Sequence, residues 1–167
     1  MNKIKLWFFR YAKRQQSARE VIFPNYSKVR SVAVVFAGEQ NKEIERIIRQ
    51  LEKDGIMVEI VGYEPKQDFT ILGKPTVAAL QALPHQRFDL LIDLSTTYHI
   101  GAQHLLMAID ALFKCGLRFP DVPEQDQQGV LDMMVSLPAP AEGDTYHSED
   151  ITEQVIRYLK MINSTER

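Results

Sequence analysis

Apolar positions along the chain fall into short continuous runs separated by stretches with helical spacing. The continuous runs predict strands covered on both faces of a parallel sheet. These runs are 31–38, 57–63, 88–94 and 130–137. Between the first two runs, apolar residues recur at i, i+3, i+4 and i+7, at Ile44, Ile47, Ile48 and Leu51. The strand–helix–strand order with short links therefore predicts a βαβ unit over 31–63.

The remaining pattern completes one domain. It predicts helices over 76–83, 98–113 and 149–162, a short extended piece at 69–72 and a short strand at 115–117. Thr76 and Ser148 stand where the caps of two of these helices are expected. We therefore predict an α/β fold, a single three-layer Rossmann-like domain with a mostly parallel sheet, over residues 24–167.

A separate helical pattern precedes this domain, in residues 1–23, and ends before Pro24. Its apolar stripe has the same i, i+3, i+4, i+7 spacing and consists of Ile4, Trp7, Phe8 and Tyr11. The other faces carry the basic residues Lys3, Lys5, Arg10, Lys13 and Arg14. Such a stripe usually packs on its own domain and leaves the charges in solvent.

The apolar surface of this basic amphipathic helix is wider than one stripe, because Leu6 and Phe9 lie off it. We therefore expect the helix either to form a homodimer contact or to leave at least one of Trp7, Phe8 and Phe9 exposed. The basic residues and aromatics together form a candidate contact for an anionic membrane surface or a partner. RNA phosphates would also suit the charge, although nucleic acid is the less favoured partner.

Charge is distributed unevenly along the 167 residues. The net charge is −2, but residues 1–30 carry +7 and the remaining residues carry −9. The single Cys115 cannot form an internal disulfide, which favours a cytoplasmic setting, with a peripheral position at the inner membrane as an extension of it. We expect neither a secretory signal nor a membrane span, since no apolar run approaches the roughly 20 residues a span needs.

Signatures of nucleotide, metal and hydrolase sites are absent from the sequence. The first strand run ends in Gly38 followed by Glu39, and an acid at that point disfavours a phosphate-binding loop. His99 and His104 lie five residues apart, about 140° round a helix, so they do not form a metal-binding pair. We therefore assign no catalytic residue, metal ligand or cofactor.

The carboxyl end of the 88–94 strand is the best candidate ligand site, because ligands of open α/β sheets bind beyond the carboxyl ends of strands. Its polar residues are Asp93, Ser95, Thr96 and His99. The alternative is structural: Asp93 accepts hydrogen bonds from loop amides while a serine or threonine caps the next helix. The structural alternative is the favoured one, because capping clusters are far commoner than sites.

Several segments resemble an uncharacterised family of Bacteroidota proteins of similar length that carry a domain of unknown function. The resemblance runs nearly end to end and is most specific in FDLLIDLS (88–95) and FKCG (113–116). The same two segments are weakly similar to the acceptor-side half of heptosyltransferase-like glycosyltransferases. That second similarity implies a Rossmann-like fold but not the full activity, because this chain has no second domain for the nucleotide-sugar.

These observations favour a non-catalytic binding or adaptor domain, peripheral at the inner membrane surface. One alternative is a small-ligand-binding protein or enzyme that uses the loop after 88–94. The other is an RNA-contacting accessory protein.

Overall fold

One sheet of five parallel strands forms the centre of the computed structural model, which describes residues 2–164, with side chains up to residue 162. The strands are β1 (Ser31–Ala37), β2 (Met57–Tyr63), β3 (Phe88–Asp93), β4 (Ala111–Leu117) and β5 (Met133–Val135). The helices are α1 (Lys3–Gln15), α2 (Lys42–Lys53), α3 (Val77–Gln81), α4 (Ile100–Ala108), α5 (Glu124–Gln127) and α6 (Ser148–Ser164). The spatial strand order is β2-β1-β3-β4-β5. The predicted three-layer α/β fold with a parallel sheet is confirmed.

Helices cover both faces of the sheet, which is why the central strands are apolar on both sides. On one face, α2 and α6 pack against side chains of β1, β3 and β4. On the other face, α4 and Phe9 of α1 cover Ala33, Val35 and Leu91. Val32, Val34 and Leu90 are fully buried, as expected for strands enclosed between two helical layers.

The N-terminal helix α1 belongs to one of these layers. It lies beside α4. In a sheet of this kind, the helix that connects β4 to β5 would ordinarily pack at this place. Here that connection contains only the four-residue α5, and α1 packs there instead. After α1 the chain follows the amino ends of the strands, where Arg19 donates to the Ala111 carbonyl at 3.0 Å and Ile22 to the Leu112 carbonyl at 3.0 Å. It then reaches Tyr26, which packs in the core on the opposite face.

Two predicted boundaries were wrong. The helix predicted over 98–113 ends at Ala108, and β4 begins at Ala111. Leu112 and Phe113 continue the helical spacing of apolar residues, but both belong to β4. Pairing with β3 already begins at Asp110, whose carbonyl accepts a hydrogen bond from the Phe88 amide. The last strand is shorter than the predicted 130–137, because only residues 133–135 pair with β4.

β2 was also predicted to be buried, and this is wrong for most of the strand. It pairs with β1 over seven positions but lies at the sheet edge, where Met57 and Ile60 are exposed. The predicted extended piece at 69–72 is a turn instead, closed by a hydrogen bond from the Gly73 amide to the Thr70 carbonyl and flanked by a bridge between Phe69 and Pro75.

The first turns of α3 and α6 are capped in different ways, one by a local side chain and the other by a side chain from another helix. Thr76 caps α3 as predicted, because its hydroxyl accepts from the Ala79 amide at 3.2 Å. Ser148 begins α6, but its hydroxyl donates to the Leu94 carbonyl. The Glu149 amide donates instead to the Glu43 carboxylate of α2, at 2.8 Å. The first turn of α6 is therefore satisfied by a side chain from another helix.

Candidate functional site

Asp93 ends β3 at the carboxyl edge of the sheet and is only 1% exposed. Its Oδ1 accepts from the Ser95 amide at 3.0 Å and from the Ser95 hydroxyl at 2.6 Å. We expected this carboxylate to accept hydrogen bonds within the following loop, and the contact with Ser95 confirms that expectation. Both side chains are buried and hold the start of the loop.

A third buried group joins this pair. The Tyr63 hydroxyl lies 2.8 Å from Ser95 Oγ, and since Ser95 donates to Asp93, Tyr63 donates to Ser95. Burial raises the pKa of Asp93 to about 6, partly offset by the two hydrogen bonds from Ser95. Burial also raises the pKa of Tyr63, and the nearby Asp93 adds to the effect. The chain of hydrogen bonds ties the ends of β2 and β3 together below the surface.

Gly116 of β4 leaves the space that Asp93 occupies. A Cβ at this position would lie 3.0 Å from the Asp93 Cβ and 3.0 Å from Leu131 Cδ1. The glycine of the FKCG segment is therefore explained by close packing beside Asp93.

His99 caps α4, where a serine or threonine was expected. Its Nδ1 accepts from the Gly101 amide at 3.2 Å and the Ala102 amide at 3.4 Å, so the neutral ring carries its proton on Nε2. The imidazole packs against the Phe69 ring, with the centroids 4.7 Å apart. Burial and then the charge of Lys5 lower the pKa of His99, which favours this neutral form.

Of the four candidate ligand residues, Thr96 and His99 line an open cavity of about 570 Å³, whereas Asp93 is buried and Ser95 borders a smaller neighbouring cavity. The cavity lies between the loops that follow β3 and β4 and the first turn of α1. Its other walls include Lys5, Tyr98, Phe119 and Tyr146, and no prediction from the sequence brought Lys5, Phe119 or Tyr146 to this loop. These residues come from four distant segments, so no local pattern in the sequence connects them.

The neighbouring position between β1 and β3 is nearly closed. In a sheet of order 2-1-3-4-5 this is the point where connections leave to opposite sides and where ligands commonly bind. Here the loop before α6 covers it, and the space left is about 190 Å³, bounded by Thr96, Thr145 and His147 among others. A larger groove of about 760 Å³ runs along α2 and α6, from Arg46 and Glu149 at one end to Asp54 and Met161 at the other.

The N-terminal helix is fixed to the domain by a face other than the predicted stripe. Phe9 is fully buried and packs edge-on against His104, with the centroids 5.2 Å apart. Ile4, Trp7 and Tyr11 are exposed by 58%, 61% and 54%. The expectation that the stripe packs on its own domain was wrong for these three residues. The exposure of Trp7 matches the other expectation, that an aromatic residue of this helix stays uncovered.

Basic residues of α1 divide between the two faces. Arg10 donates to both carboxylate oxygens of the buried Asp126, at 2.8 and 3.1 Å, and Lys13 Nζ donates to the Gln125 and Gln128 carbonyls. Lys5 borders the cavity. The other two candidate contact residues, Lys3 and Arg14, are exposed beside Trp7. Phe8 is half-buried, with Lys74 Nζ 4.8 Å from its ring centroid.

Two buried groups of β4 lie deeper in the fold. Cys115 donates to the Leu91 carbonyl, and burial raises the pKa of its thiol well above the ordinary value. Lys114, which sequence reasoning did not single out, is 1% exposed and donates to the Leu106 carbonyl. Burial lowers the pKa of Lys114 to about 8, and Arg19 contributes to the shift. Neither side chain lines one of the cavities described above.

Within residues 2–164, no three His, Cys, Asp or Glu side chains form a group that could hold a metal ion. In the same part of the chain no helix has the length and apolar character that crossing a membrane requires.

The strand order, the two helical layers and the carboxyl-edge cavity define a doubly wound α/β domain in which an N-terminal helix completes one layer. The chain belongs to the Family of unknown function (DUF6913), whose profile matches residues 3–162. A comparison with curated proteins and one with solved structures each gave no match.

Proposed function

We propose that this protein is a non-catalytic binding domain that attaches to an anionic membrane surface through the outer face of α1. The observation that carries the proposal is the orientation of the helix. Its inner face is held by Phe9 and the Arg10–Asp126 ion pair, so the helix is firmly placed. Its outer face nevertheless presents Ile4, Trp7 and Tyr11 to solvent.

The composition of this outer face favours lipid over a protein partner. Trp7 and Tyr11 stack with their centroids 5.8 Å apart, and residues with an apolar body and a polar tip prefer membrane interfaces. Lys3 and Arg14 flank them, and residues 2–19 contain no acidic side chain. A helix with aromatics and bases but no acids on one face is typical of proteins that lie at an anionic surface.

Only part of the basic charge is available for this role. Arg10 is paired with Asp126, and Lys13 and Lys5 lie toward the domain, which leaves Lys3 and Arg14 on the outer face. Each basic residue near an anionic surface contributes about 1 kcal/mol, so these two should favour anionic over neutral lipid by about thirtyfold.

The other functions considered have less support. An RNA-contacting protein would need a continuous basic surface, and two of the five basic residues of α1 are engaged within the fold. An enzyme that used Asp93 would need it accessible, and Asp93 is buried. Homodimerisation through the same helix face is an outcome that the experiment below distinguishes.

We also propose the two relationships that the sequence suggested beyond the family of unknown function. One is a link to Bacteroidota proteins, and the other is a weak similarity to heptosyltransferase-like enzymes. The buried position of Asp93 disfavours a transferase activity that would use this carboxylate.

Trp7 reports directly on the proposal, because it is the single tryptophan of the chain. The full chain is mixed with vesicles of phosphatidylcholine alone or with added phosphatidylserine, and tryptophan emission and acrylamide quenching are recorded. We expect a blue shift and weaker quenching with phosphatidylserine vesicles, reversed by salt. Unchanged emission with both vesicle types would overturn the proposal.

Two double variants test whether the charge of the outer face of α1 contributes to binding. Lys3→Gln with Arg14→Gln should weaken binding to phosphatidylserine vesicles by about thirtyfold. The matched control, Lys42→Gln with Lys53→Gln, removes two exposed charges from α2 and should leave binding unchanged. A blue shift that depends on protein concentration without vesicles would show a second copy at this face instead. The same shift with a single-stranded RNA would favour the nucleic-acid alternative.

A further inference from the structure

The cavity at the carboxyl edge of β3 and β4 has three aromatic side chains in its walls: Tyr98 from the loop after β3, Phe119 from the loop after β4, and Tyr146 from the loop before α6. Tyr98 and Phe119 meet edge to face, with the centroids 5.7 Å apart. At about 570 Å³ the cavity is in the size range of small-molecule sites.

Buried polar groups hold these walls in place. The Gln127 side chain, 4% exposed, accepts from the Phe119 amide and donates to the Phe119 and Val122 carbonyls, each at 2.7 Å. The Asp126 carbonyl accepts from the Tyr98 hydroxyl at 3.3 Å, and its carboxylate is held by Arg10. These contacts hold the loop after β4 in place, and a preorganised loop lowers the entropic cost of binding a ligand.

The polar groups at the cavity favour a negative charge. Lys5 from the first turn of α1 lines it, and its charge is close enough to His99 to lower the pKa of that imidazole. The positive ends of α1 and α4 also lie here, since Asn2 and His99, which cap them, both line the cavity. Asp121 is the carboxylate among the lining residues, and it is exposed at the rim.

We infer that this cavity binds a small planar aromatic acid, with the ring against Tyr98, Phe119 and Tyr146 and the anionic group toward Lys5. The inference goes beyond the proposed membrane attachment and does not depend on it, because it rests on the inner side of α1 and the loops around it.

Titration of the full-length protein with three small probes, followed by NMR of backbone amides, tests the inference. The probes are indole-3-acetate, its uncharged analogue indole-3-acetamide, and cyclohexylacetate, which keeps the acid but not the ring. We expect indole-3-acetate to shift the amide signals of residues 96–99 and of Phe119, Asp121 and Val122, and the other two probes to bind more weakly. No shift in these segments at millimolar indole-3-acetate, or equal binding of all three probes, would overturn the inference.

Lys5 and Lys3, on opposite faces of α1, provide a matched pair of substitutions. Lys5→Gln should weaken indole-3-acetate by up to about fivefold and leave indole-3-acetamide unchanged, because the lost contact is a partly solvated ion pair. Lys3→Gln, on the outer face, should leave indole-3-acetate binding unchanged and weaken attachment to phosphatidylserine vesicles. Equal effects of both substitutions on indole-3-acetate would mean that general charge attraction, and not this cavity, binds the probe. The failure of the membrane proposal is seen separately, in the vesicle assay.

Discussion

Helices α1 and α2 carry the same apolar spacing and use it in opposite ways. In α2 the positions are Ile44, Ile47, Ile48 and Leu51, and three of these are at most 4% exposed. In α1 the positions are Ile4, Trp7, Phe8 and Tyr11, and three of these are more than half exposed. Spacing of this kind therefore identifies a helix without determining which of its faces packs on the domain.

The difference follows from how each helix is connected. Short links join α2 to β1 and β2, so the apolar face of α2 must lie against the sheet between them. A longer segment, residues 16–30, joins α1 to β1, so the packing of α1 is decided by specific partners. Phe9 packs against His104, and Arg10 finds a buried carboxylate in Asp126. These contacts turn the aromatic stripe outward.

The largest expected effect comes from the residue that holds α1 in place. Phe9→Ala should lower the free energy of unfolding by about 4 kcal/mol, because a fully buried aromatic side chain leaves a cavity. Urea denaturation followed by circular dichroism measures the change, and Leu51→Ala in α2 serves as the matched buried substitution, at about 3 kcal/mol. If Phe9→Ala cost less than 1 kcal/mol, α1 would not be docked as described.

Burial that the apolar pattern does not reveal also affects polar residues. For Asp93, its effect on the free energy of unfolding can be measured as a function of pH. Its pKa in the folded protein is about 6, above the ordinary value of 3.8, so folding favours the protonated acid. This contribution to stability is fully present below pH 3.8 and is lost as the pH rises through 6. Relative to pH 7, it should amount to about 2 kcal/mol near pH 4 and approach about 3 kcal/mol at lower pH.

Urea denaturation of the wild-type protein and Asp93→Asn across pH 4 to 7 checks this effect. The wild-type protein should gain stability relative to the variant as the pH falls, because asparagine does not titrate. Parallel pH profiles for the two proteins would show that Asp93 is not desolvated in the way its burial indicates.

A smaller effect is expected at Gly101 in the first turn of α4. A Cβ there would lie 2.4 Å from Phe69 Cδ1, so Gly101→Ala should destabilise the fold by about 2 kcal/mol and disturb the Phe69–His99 contact. In a Phe69→Ala background the penalty should shrink, because alanine lacks the ring carbons that lie nearest the added methyl group. Thermal denaturation of the four variants of this cycle gives the coupling, and an unchanged penalty would contradict the packing described.

The smallest effect on stability is expected where α1 faces solvent. Tyr11→Ser should change the free energy of unfolding by no more than about 0.5 kcal/mol, although the spacing of its stripe equals that of α2. The same substitution should weaken vesicle attachment, measured by co-sedimentation with phosphatidylserine vesicles. A loss of stability similar to that of Leu51→Ala would mean that the stripe is covered in solution.

Much of the fold could be predicted from the sequence because several elements carry unambiguous patterns. β1, α2, β3 and α6 were predicted close to their observed bounds, since their apolar runs or stripes match one period only. The end of α4 was missed because Leu112 and Phe113 suit both a helix and a strand. The edge position of β2 was missed because Met57–Tyr63 is as apolar as the buried strands, and strand order is not written in any single segment.

The candidate site divides in the same way. Asp93 and Ser95 are two residues apart, so their hydrogen bonds could be expected from local sequence alone. The aromatic cavity could not, because Tyr98, Phe119 and Tyr146 meet only when three loops arrive at one edge of the sheet. The hydrogen bonds from the Gln127 side chain to the 119–122 loop likewise depend on a turn that no periodic pattern predicts.

The sequence by itself determined that this chain forms a parallel sheet between helices. Continuous β-branched runs are typical of strands buried on both faces, and apolar stripes with a 3.6-residue period are typical of the helices that cover them. It also determined that the first helix is basic and aromatic. Only the tertiary structure decided that Phe9 faces inward and Trp7 outward, because that choice depends on where His104 and Asp126 stand after the sheet has formed. Long-range packing selects among faces that local spacing leaves equivalent.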